Sequence, residues 1–208
     1  VPLNMLLRIF WQARTTAEQK PNVLYARKSQ VEAYSKMKEY QKLVDVVENF
    51  IVTEKVTDND KRWANMCSAM AYDSLGDTTN ALIKYRTVAL EYVTAEGSES
   101  KYRVASILFD QKNYAEAEKE ILDFLEKSSS HQYWLGKSYI LWARIFMARN
   151  ELFQARYTLQ NVLQHYKIQE DGIIAEVNDT LDEITDMEMA AKAQETHSVE
   201  LDMEGKNE

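Results

Sequence analysis

Residues that interrupt helices are scarce in this chain of 208 residues. It contains two prolines and five glycines, so few positions oblige the backbone to turn and long helices are favoured. Its one cysteine, Cys67, cannot form an internal disulfide, so the fold does not depend on oxidation. Met66 and Ser68 on either side of it supply no base, and we expect an inert, buried thiol. No run approaches the roughly 18 uncharged apolar residues that cross a bilayer, so no membrane span is predicted.

Catalytic and cofactor-binding patterns are also missing from the sequence. There is no glycine-rich phosphate loop, no nucleophile elbow and no HExxH segment. The three histidines, His131, His165 and His197, are scattered, and none has a second ligand at metal-binding spacing. We therefore predict a protein that is not an enzyme and that has no cofactor and no metal site.

Charge is divided unevenly along the chain. The net charge is −8, but residues 170–208 hold 13 acidic and 2 basic residues, whereas residues 1–169 hold 20 acidic and 23 basic ones. A mild positive excess spread over many helices lacks the concentrated basic face that nucleic-acid binding requires, so no nucleic acid is expected as a partner. The acidic segment is predicted to keep the last helix and a tail soluble. Contact between that tail and the basic residues is the alternative.

Four stretches of the sequence repeat one another at a nearly fixed spacing. Each has two apolar patterns of helical period, separated by a short break, and an anchor residue in the second pattern. The breaks are Lys38–Tyr40, Gly76–Thr78, Lys112–Tyr114 and Asn150–Leu152. The anchors are Leu43, Ala81, Ala117 and Ala155, which are 38, 36 and 38 residues apart. Such a period indicates stacked helix pairs, none of which buries its apolar face alone.

These patterns predict an all-α fold of antiparallel helix pairs, because short connections force neighbouring helices to run in opposite directions. The predicted segments are a solenoid at 1–168, an acidic capping helix at 169–193 and a disordered acidic tail at 194–208. The solenoid divides into a partial repeat at 3–21 and repeats at about 22–56, 60–95, 98–128 and 131–167. Asp60 and Ser98 are the predicted N-caps of two leading helices, and Gly76 is predicted to end one.

The repeated pattern resembles the tetratricopeptide repeat (TPR), whose consensus is W-x2-L-G-x2-Y, then A-x3-F, then P. The matching segments are Val31-x2-Tyr34 with Leu43-x3-Val47, Ala69-x2-Tyr72 with Ala81-x3-Tyr85, Ala105-x2-Leu108 with Ala117-x3-Ile121, and Tyr139-x2-Trp142-Ala143-x2-Phe146 with Ala155-x3-Leu159. The resemblance covers Leu3–Tyr166 and implies a right-handed α-solenoid, a TPR-like superhelix with a C-terminal capping helix. The slightly long period and the phrase Tyr114–Ile121 look like the divergent repeats of bacterial cell-envelope proteins. That similarity implies a fragment of a larger bacterial protein in the periplasm or at the outer-membrane periphery.

The TPR resemblance also implies a function, because such proteins are binding scaffolds with no common catalysis. Their leading helices line a concave groove that accepts an extended peptide or a helix of a partner protein. The implied groove positions here are Tyr25, Lys28, Glu32, Trp63, Met66, Met70, Tyr102, Arg103, Ser106, Lys137, Ile140 and Arg144. The expected partner is therefore another protein or peptide.

Two groups of these positions have an alternative interpretation. Tyr102, Arg103, Lys137 and Arg144 would form a basic and aromatic strip for an acidic peptide, or they are solvated charges on helix faces. Trp63, Met66 and Met70 would form an adaptable apolar groove floor, or they pack between repeats.

Two functions of other classes stay open. A pocket between helices containing Trp63, Tyr102 and Arg144 would bind a small ligand or a glycan. Alternatively, the chain is a structural dimerisation module, in which Leu6, Phe10 and Trp11 of the first helix are covered by a second copy.

Overall fold

The computed structural model describes residues 20–127 and 130–204 of the chain, and this part consists of helices joined by short turns and loops, with no strand. The helices are α1 (Lys20–Met37), α2 (Tyr40–Ile51), α3 (Asp58–Ser74), α4 (Thr78–Ala89), α5 (Ala95–Asp110), α6 (Tyr114–Glu126), α7 (Gln132–Ala148), α8 (Leu152–His165) and α9 (Ile173–Glu204). The prediction of an all-α fold is confirmed. The predicted partial repeat spans residues 3–21, and its residues 3–19 lie outside the described part of the chain. None of the helices in the described ranges combines the length and the apolar character needed to cross a membrane.

The same turn joins the two helices of every pair. Its central residue has a left-handed backbone: Lys38 (φ 57°), Gly76 (φ 75°), Lys112 (φ 59°) and Asn150 (φ 59°). The N–H of the next residue donates to a carbonyl one helical turn back, over 2.8–3.1 Å, in the pairs Glu39–Tyr34, Asp77–Tyr72, Asn113–Leu108 and Glu151–Phe146. This is the Schellman arrangement that satisfies carbonyl groups at a helix C-terminus. The four breaks predicted from the sequence are therefore four copies of one helix–helix turn.

Small residues hold the two helices of a pair close together. The anchors Ala81, Ala117 and Ala155 are completely buried, and so are Ala69 and Ala143 on leading helices. A methyl group takes little room, so the facing helix can approach closely. The larger residues one turn after the anchors, Tyr85, Ile121 and Leu159, are also buried and fill the space between the helices.

The chain divides into two compact units, Val1–Ile107 and Leu108–Glu208, and the division falls within α5. In unit 1, helices α1, α2 and α3 build a core that includes Val31, Val47 and Phe50. In unit 2, α9 packs against α7 and α8, where Ile173 and Ile184 are completely buried. The predicted capping helix is thus present and covers one side of the fourth pair.

Two predicted helix starts are corrected by the structure. Thr57, not Asp60, is the N-cap of α3, since its hydroxyl accepts the N–H of Asp60 at 3.1 Å. Ser98 lies inside α5, which begins at Ala95, and the hydroxyl of Thr94 accepts the N–H of Gly97 at 3.1 Å. In both cases a threonine three or four residues upstream provides the cap, because threonine is a good acceptor at this position.

The last helix is longer than the predicted capping helix. The helix α9 starts at Ile173 and continues to Glu204, although the prediction ends it at residue 193. The sequence has no glycine or proline between Gly172 and Gly205, so nothing local interrupts the helix. Residues 205–208 lie outside the described part of the chain.

Candidate binding surfaces

In unit 1, the leading helices α1 and α3 form a concavity of about 560 Å³, which we call the α1–α3 groove. Its lining residues are Lys28, Glu32, Ser35, Lys36, Asp60 and Trp63. Three of the predicted groove positions, Lys28, Glu32 and Trp63, are therefore brought together by the structure. Tyr25 lies one helical turn before Lys28 on the same side of α1.

An ion pair connects the two helices across this groove. The Lys28 ammonium donates to the carboxylate of Asp60 at 2.6 Å and lies 5.6 Å from the centroid of the Trp63 ring. The hydrogen bond to Asp60 raises the pKa of Lys28. The hydrogen bonds from Lys28 and Thr57 lower the pKa of the Asp60 carboxyl. Both side chains thus stay charged, and the groove presents a fixed ion pair over an indole ring.

Trp63 has both of the roles that the sequence left open. Its ring meets Phe50 edge to face, with centroids 6.3 Å apart and an angle of 87° between the planes, so it contributes to the core of unit 1. It also lines the α1–α3 groove. Substitution of Trp63 would therefore disturb the fold together with the surface.

The apolar positions of this face differ in their exposure. Tyr25 is 68% exposed and Met70 is also exposed, but Met66 is only 6% exposed. The sequence left open whether Met66 forms part of the groove floor or packs between repeats, and its burial favours packing, since the Met66 sulfur accepts a hydrogen bond from the Ser100 hydroxyl of α5 at 3.4 Å. Met66 packs between leading helices and does not face a partner.

Cys67 is next to this face but is not reactive. Burial raises the pKa of its thiol to about 11, and a hydrogen bond with Ser35 opposes that rise only in part. The thiolate, which is the nucleophilic form, is therefore scarce at neutral pH. This agrees with the inert thiol expected from the sequence.

The remaining predicted groove positions of unit 1 lie on α5. Tyr102, Arg103 and Ser106 are half-buried. The Arg103 guanidinium is 3.3 Å from the carboxylate of Glu99, one turn earlier on the same helix. Its charge is therefore already balanced by a neighbour.

In unit 2, the cations predicted to line the groove are engaged by α9. The carboxylate of Glu176 lies 2.7 Å from the Lys137 ammonium and 3.6 Å from the Arg144 guanidinium. Ile140, which the sequence places at the groove surface, is 1% exposed and belongs to the core that α9 completes. That prediction is corrected: the α9 helix covers this part of α7.

The structure shows an aromatic surface on unit 2 that the sequence reasoning missed. A concavity of about 230 Å³ between α7 and α8 is lined mainly by apolar side chains, which include Tyr139, Trp142, Phe146, Phe153 and Tyr157. Phe153 is 77% exposed and Tyr157 is also exposed. The sequence matched the α7 aromatics Tyr139, Trp142 and Phe146 to positions of the repeat consensus. The missed signal is the four-residue spacing of the two α8 aromatics on the side opposite Ala155.

The α7 part of this aromatic surface is held by α6. The Trp142 indole N–H donates to the Glu118 carboxylate at 2.9 Å, and Arg149 donates to its second oxygen at 2.7 Å. The Trp142 and Phe146 rings are 5.4 Å apart. These contacts fix the ring orientations without covering the surface.

A third concavity, of about 430 Å³, also lies between α7 and α8, next to the start of α9. Gln132, Tyr139, Asn161 and His165 are among its lining residues. The His165 ring is 2.9 Å from the carbonyl of Asn161 in the last turn of α8, a local role of the kind expected from the sequence. In the ranges 20–127 and 130–204, no three His, Cys, Asp or Glu side chains are placed to hold a metal ion.

No protein-family model matches the chain, and no curated protein matches it. Two solved structures of a provisionally assigned kinesin light chain of Podosopora anserina, with nearly identical TPR-like repeats, are similar to it. The first has a TM-score of 0.60 at 14% identity and covers 79% of this chain and 87% of its own. The second, a variant with one residue changed to methionine, has a TM-score of 0.54 at 14% identity and covers 84% and 95%. The chain therefore has a TPR-like helical repeat fold.

Proposed function

We propose that this protein is a non-catalytic scaffold that binds another protein through the α1–α3 groove of unit 1. TPR-like repeats generally serve as protein-interaction scaffolds, which supports the class of function. The observation that carries the choice of surface is the arrangement around Trp63. The exposed Tyr25 lies one helical turn before Lys28 on α1, and the exposed Met70 lies two turns after Trp63 on the same side of α3.

This arrangement favours an amphipathic segment as the partner. Tyr25, Trp63 and Met70 offer large apolar contact area, and methionine adapts to differently shaped side chains. Lys28 and Asp60 present one charge of each sign at a fixed separation, which selects the register of a bound segment. A peptide or helix with two or three apolar residues and a charged flank satisfies both features.

The test begins with selection of binding peptides from a displayed library on the 208-residue protein. A Tyr25→Ser/Met70→Ser variant should bind the selected peptides with an affinity lower by about tenfold or more, because exposed aromatic and methionine anchors dominate interface energies. Isothermal titration calorimetry measures the change. Circular dichroism should show unaltered helicity, since both side chains are exposed.

A matched control is a Val52→Ser/Leu90→Ser variant, which removes two exposed apolar side chains from other parts of unit 1. It should bind the selected peptides like the parent protein. Equal affinity of the Tyr25/Met70 variant and the parent would remove the groove assignment.

The sequence-based expectations about origin, catalysis, small-ligand binding and dimerisation stay proposals. A bacterial envelope origin, membership of a larger protein and the absence of catalysis are consistent with a scaffold. For the alternative of a small-ligand or glycan site, stabilisation by sugars alone in a thermal-shift screen would be the supporting result. The dimerisation hypothesis concerns Leu6, Phe10 and Trp11, which lie outside the described residues.

A further inference from the structure

The two concavities between α7 and α8 of unit 2 are adjacent and form one groove, which we call the α7–α8 groove. Each is lined by eight residues, and they share Tyr139 and Asn161, so fourteen residues line the groove in all. On α7 the lining runs from Gln132 to Phe146, which is about 21 Å at a rise of about 1.5 Å per residue. An elongated groove of this kind fits an extended chain better than a compact molecule.

Aromatic and uncharged residues line this groove. Six of the fourteen are tyrosine, tryptophan or phenylalanine, and none is aspartate, glutamate, lysine or arginine. The α1–α3 groove is different, since four of its six lining residues are charged. A charged segment would lose its water in the α7–α8 groove without meeting an opposite charge, so an uncharged ligand is favoured.

The aromatic rings of the groove are held in place and remain accessible. The Trp142 indole is fixed by its hydrogen bond to α6, and its ring centroid lies 6.4 Å from that of Tyr139 and 5.4 Å from that of Phe146. On α8, Phe153 is 77% exposed and Tyr157 is 61% exposed. Such a surface offers a large contact area, and its fixed rings lose little side-chain entropy when a ligand binds.

Hydrogen-bond donors lie beside these rings. Within the described part of the chain, the hydroxyls of Tyr139 and Tyr157 and the side-chain amides of Gln132 and Gln154 line the groove and make no hydrogen bond. The lining has no carboxylate, which is the side chain that only accepts. A ligand rich in acceptors and poor in donors therefore complements the groove.

A proline-rich segment has these properties. Proline lacks the backbone N–H, so such a segment presents carbonyl acceptors and few donors. In the polyproline II conformation it rises about 3.1 Å per residue without internal hydrogen bonds, so about seven residues span the groove. An α-helix, by contrast, satisfies its own carbonyls. A β-like peptide or a neutral sugar brings donors of its own, for which the groove holds no carboxylate.

We propose that the α7–α8 groove binds a proline-rich segment of a partner protein in the polyproline II conformation. The pyrrolidine rings pack on the aromatic side chains, and the tyrosine hydroxyls and glutamine amides donate to the carbonyls of the segment. Docking of preformed polyproline II segments in aromatic-lined grooves is a general mode of peptide recognition. The site lies on unit 2 and does not depend on the function proposed for the α1–α3 groove.

The test is isothermal titration calorimetry of the 208-residue protein with heptaproline capped at both ends. Heptaproline should bind, whereas a capped glycine–serine peptide of the same length and maltohexaose should not. Failure of heptaproline to bind would overturn the inference. Binding of the glycine–serine peptide or of maltohexaose as tightly as heptaproline would also overturn it, the latter in favour of a glycan site.

Two variants test the location and the donors. Phe153→Ser/Tyr157→Ser should lower the affinity for heptaproline about tenfold or more, since it removes two exposed aromatic anchors. Tyr139→Phe/Tyr157→Phe keeps the rings but removes both hydroxyls, and it should lower the affinity roughly threefold or more. Circular dichroism should show unaltered helicity in both. Undiminished affinity of the first variant would remove the site from this groove, and undiminished affinity of the second would contradict the role of the donors.

The matched control is Ile168→Ser/Met189→Ser, which removes two exposed apolar side chains of unit 2 outside the groove. It should bind heptaproline like the parent protein. The Tyr25→Ser/Met70→Ser variant of unit 1 should also bind heptaproline normally, which separates this inference from the proposed function. A loss of affinity in either control that equals the loss in Phe153→Ser/Tyr157→Ser would contradict the assignment to the α7–α8 groove.

Discussion

Side chains at equivalent repeat positions of the leading helices differ in solvent exposure between the two units. In the repeat pattern, Tyr25 and Lys28 of α1 correspond to Lys137 and Ile140 of α7. Tyr25 is 68% exposed, whereas Lys137 is 19% exposed and pairs with Glu176 of α9. The Lys28 side chain is 42% exposed and pairs with Asp60 across an open groove, whereas Ile140 is 1% exposed. The repeat pattern therefore fixes where a groove position lies, but a neighbouring helix decides whether a partner can reach it.

The largest effect is expected when α9 is detached from unit 2. Ile184→Ala removes a completely buried side chain and should cost about 2–5 kcal/mol through lost burial and a residual cavity. Hydrogen exchange should quicken in α7, α8 and α9 and stay unchanged in α1, α2 and α3. The exposed Met189 supplies a control, since Met189→Ala should have little effect. Equal loss of protection in unit 1 would contradict the division into two units.

A smaller effect is expected from breaking the ion pairs of the two groove faces. Glu176→Gln removes the charge that contacts Lys137 and Arg144 in a half-buried cluster and should cost about 1–2 kcal/mol. Lys28→Gln breaks an exposed pair and should cost about 0–1 kcal/mol. The midpoints of urea denaturation measure both changes. The reverse order would show that α9 contributes little at this contact.

The pH dependence of unit 2 tests the Glu118 contact between α6 and α7. Burial by itself raises the pKa of Glu118, but the hydrogen bonds from Trp142 and Arg149 outweigh it, so the pKa is lowered. A lowered pKa in the folded state stabilises the fold above the pKa of an unfolded glutamate, roughly 4.3. This contribution disappears as the pH falls through the folded pKa.

The corresponding variant is Glu118→Gln. It should be less stable than the parent by about 1 kcal/mol at neutral pH, and the difference should shrink in acid below about pH 4. Unfolding free energies at several pH values measure it. Asp60→Asn in unit 1 should show the same sign, because the pKa of Asp60 is lowered too. A difference that does not change with pH would exclude the ionised Glu118 as its cause.

The smallest effect should be the same in both units, because the turn is common to them. Lys38→Gly and Lys112→Gly should each stabilise the protein by roughly 0.5 kcal/mol, since glycine relieves the left-handed strain and this gain exceeds its entropic cost. Gly76→Ala should destabilise by about 1 kcal/mol for the same reason, as no atom lies within 4 Å of the added methyl group. Thermal unfolding measures these shifts, and unequal responses at Lys38 and Lys112 would show that the turns differ.

Much of the fold could be predicted from the sequence because the relevant forces act over a few residues. The breaks at Lys38 and Gly76 and the anchors Leu43 and Ala81 are all placed where the structure has them. The two N-caps were misplaced by three or four residues, since several nearby side chains can accept the same N–H. The helix α9 continues to Glu204, past the predicted bound at residue 193, because no local residue interrupts it.

The binding surfaces were less predictable, since exposure depends on residues far away in the chain. Met66 and Ile140 are at correct repeat positions but are buried by α5 and α9. The aromatic surface around Phe153 and Tyr157 arises where side chains of two helices become adjacent, and no single helix pattern reveals it.

The amino-acid sequence by itself determined the helices, their pairing and the repeated turn, because helical periodicity, small anchors and left-handed positions are local properties. Only the tertiary structure decided which leading-helix side chains stay open. It leaves Tyr25 and Lys36 exposed in unit 1 and engages Lys137 and Arg144 with α9 in unit 2. The physical reason is that solvent exposure is set by whatever helix packs alongside, and the repeat pattern carries no information about that neighbour.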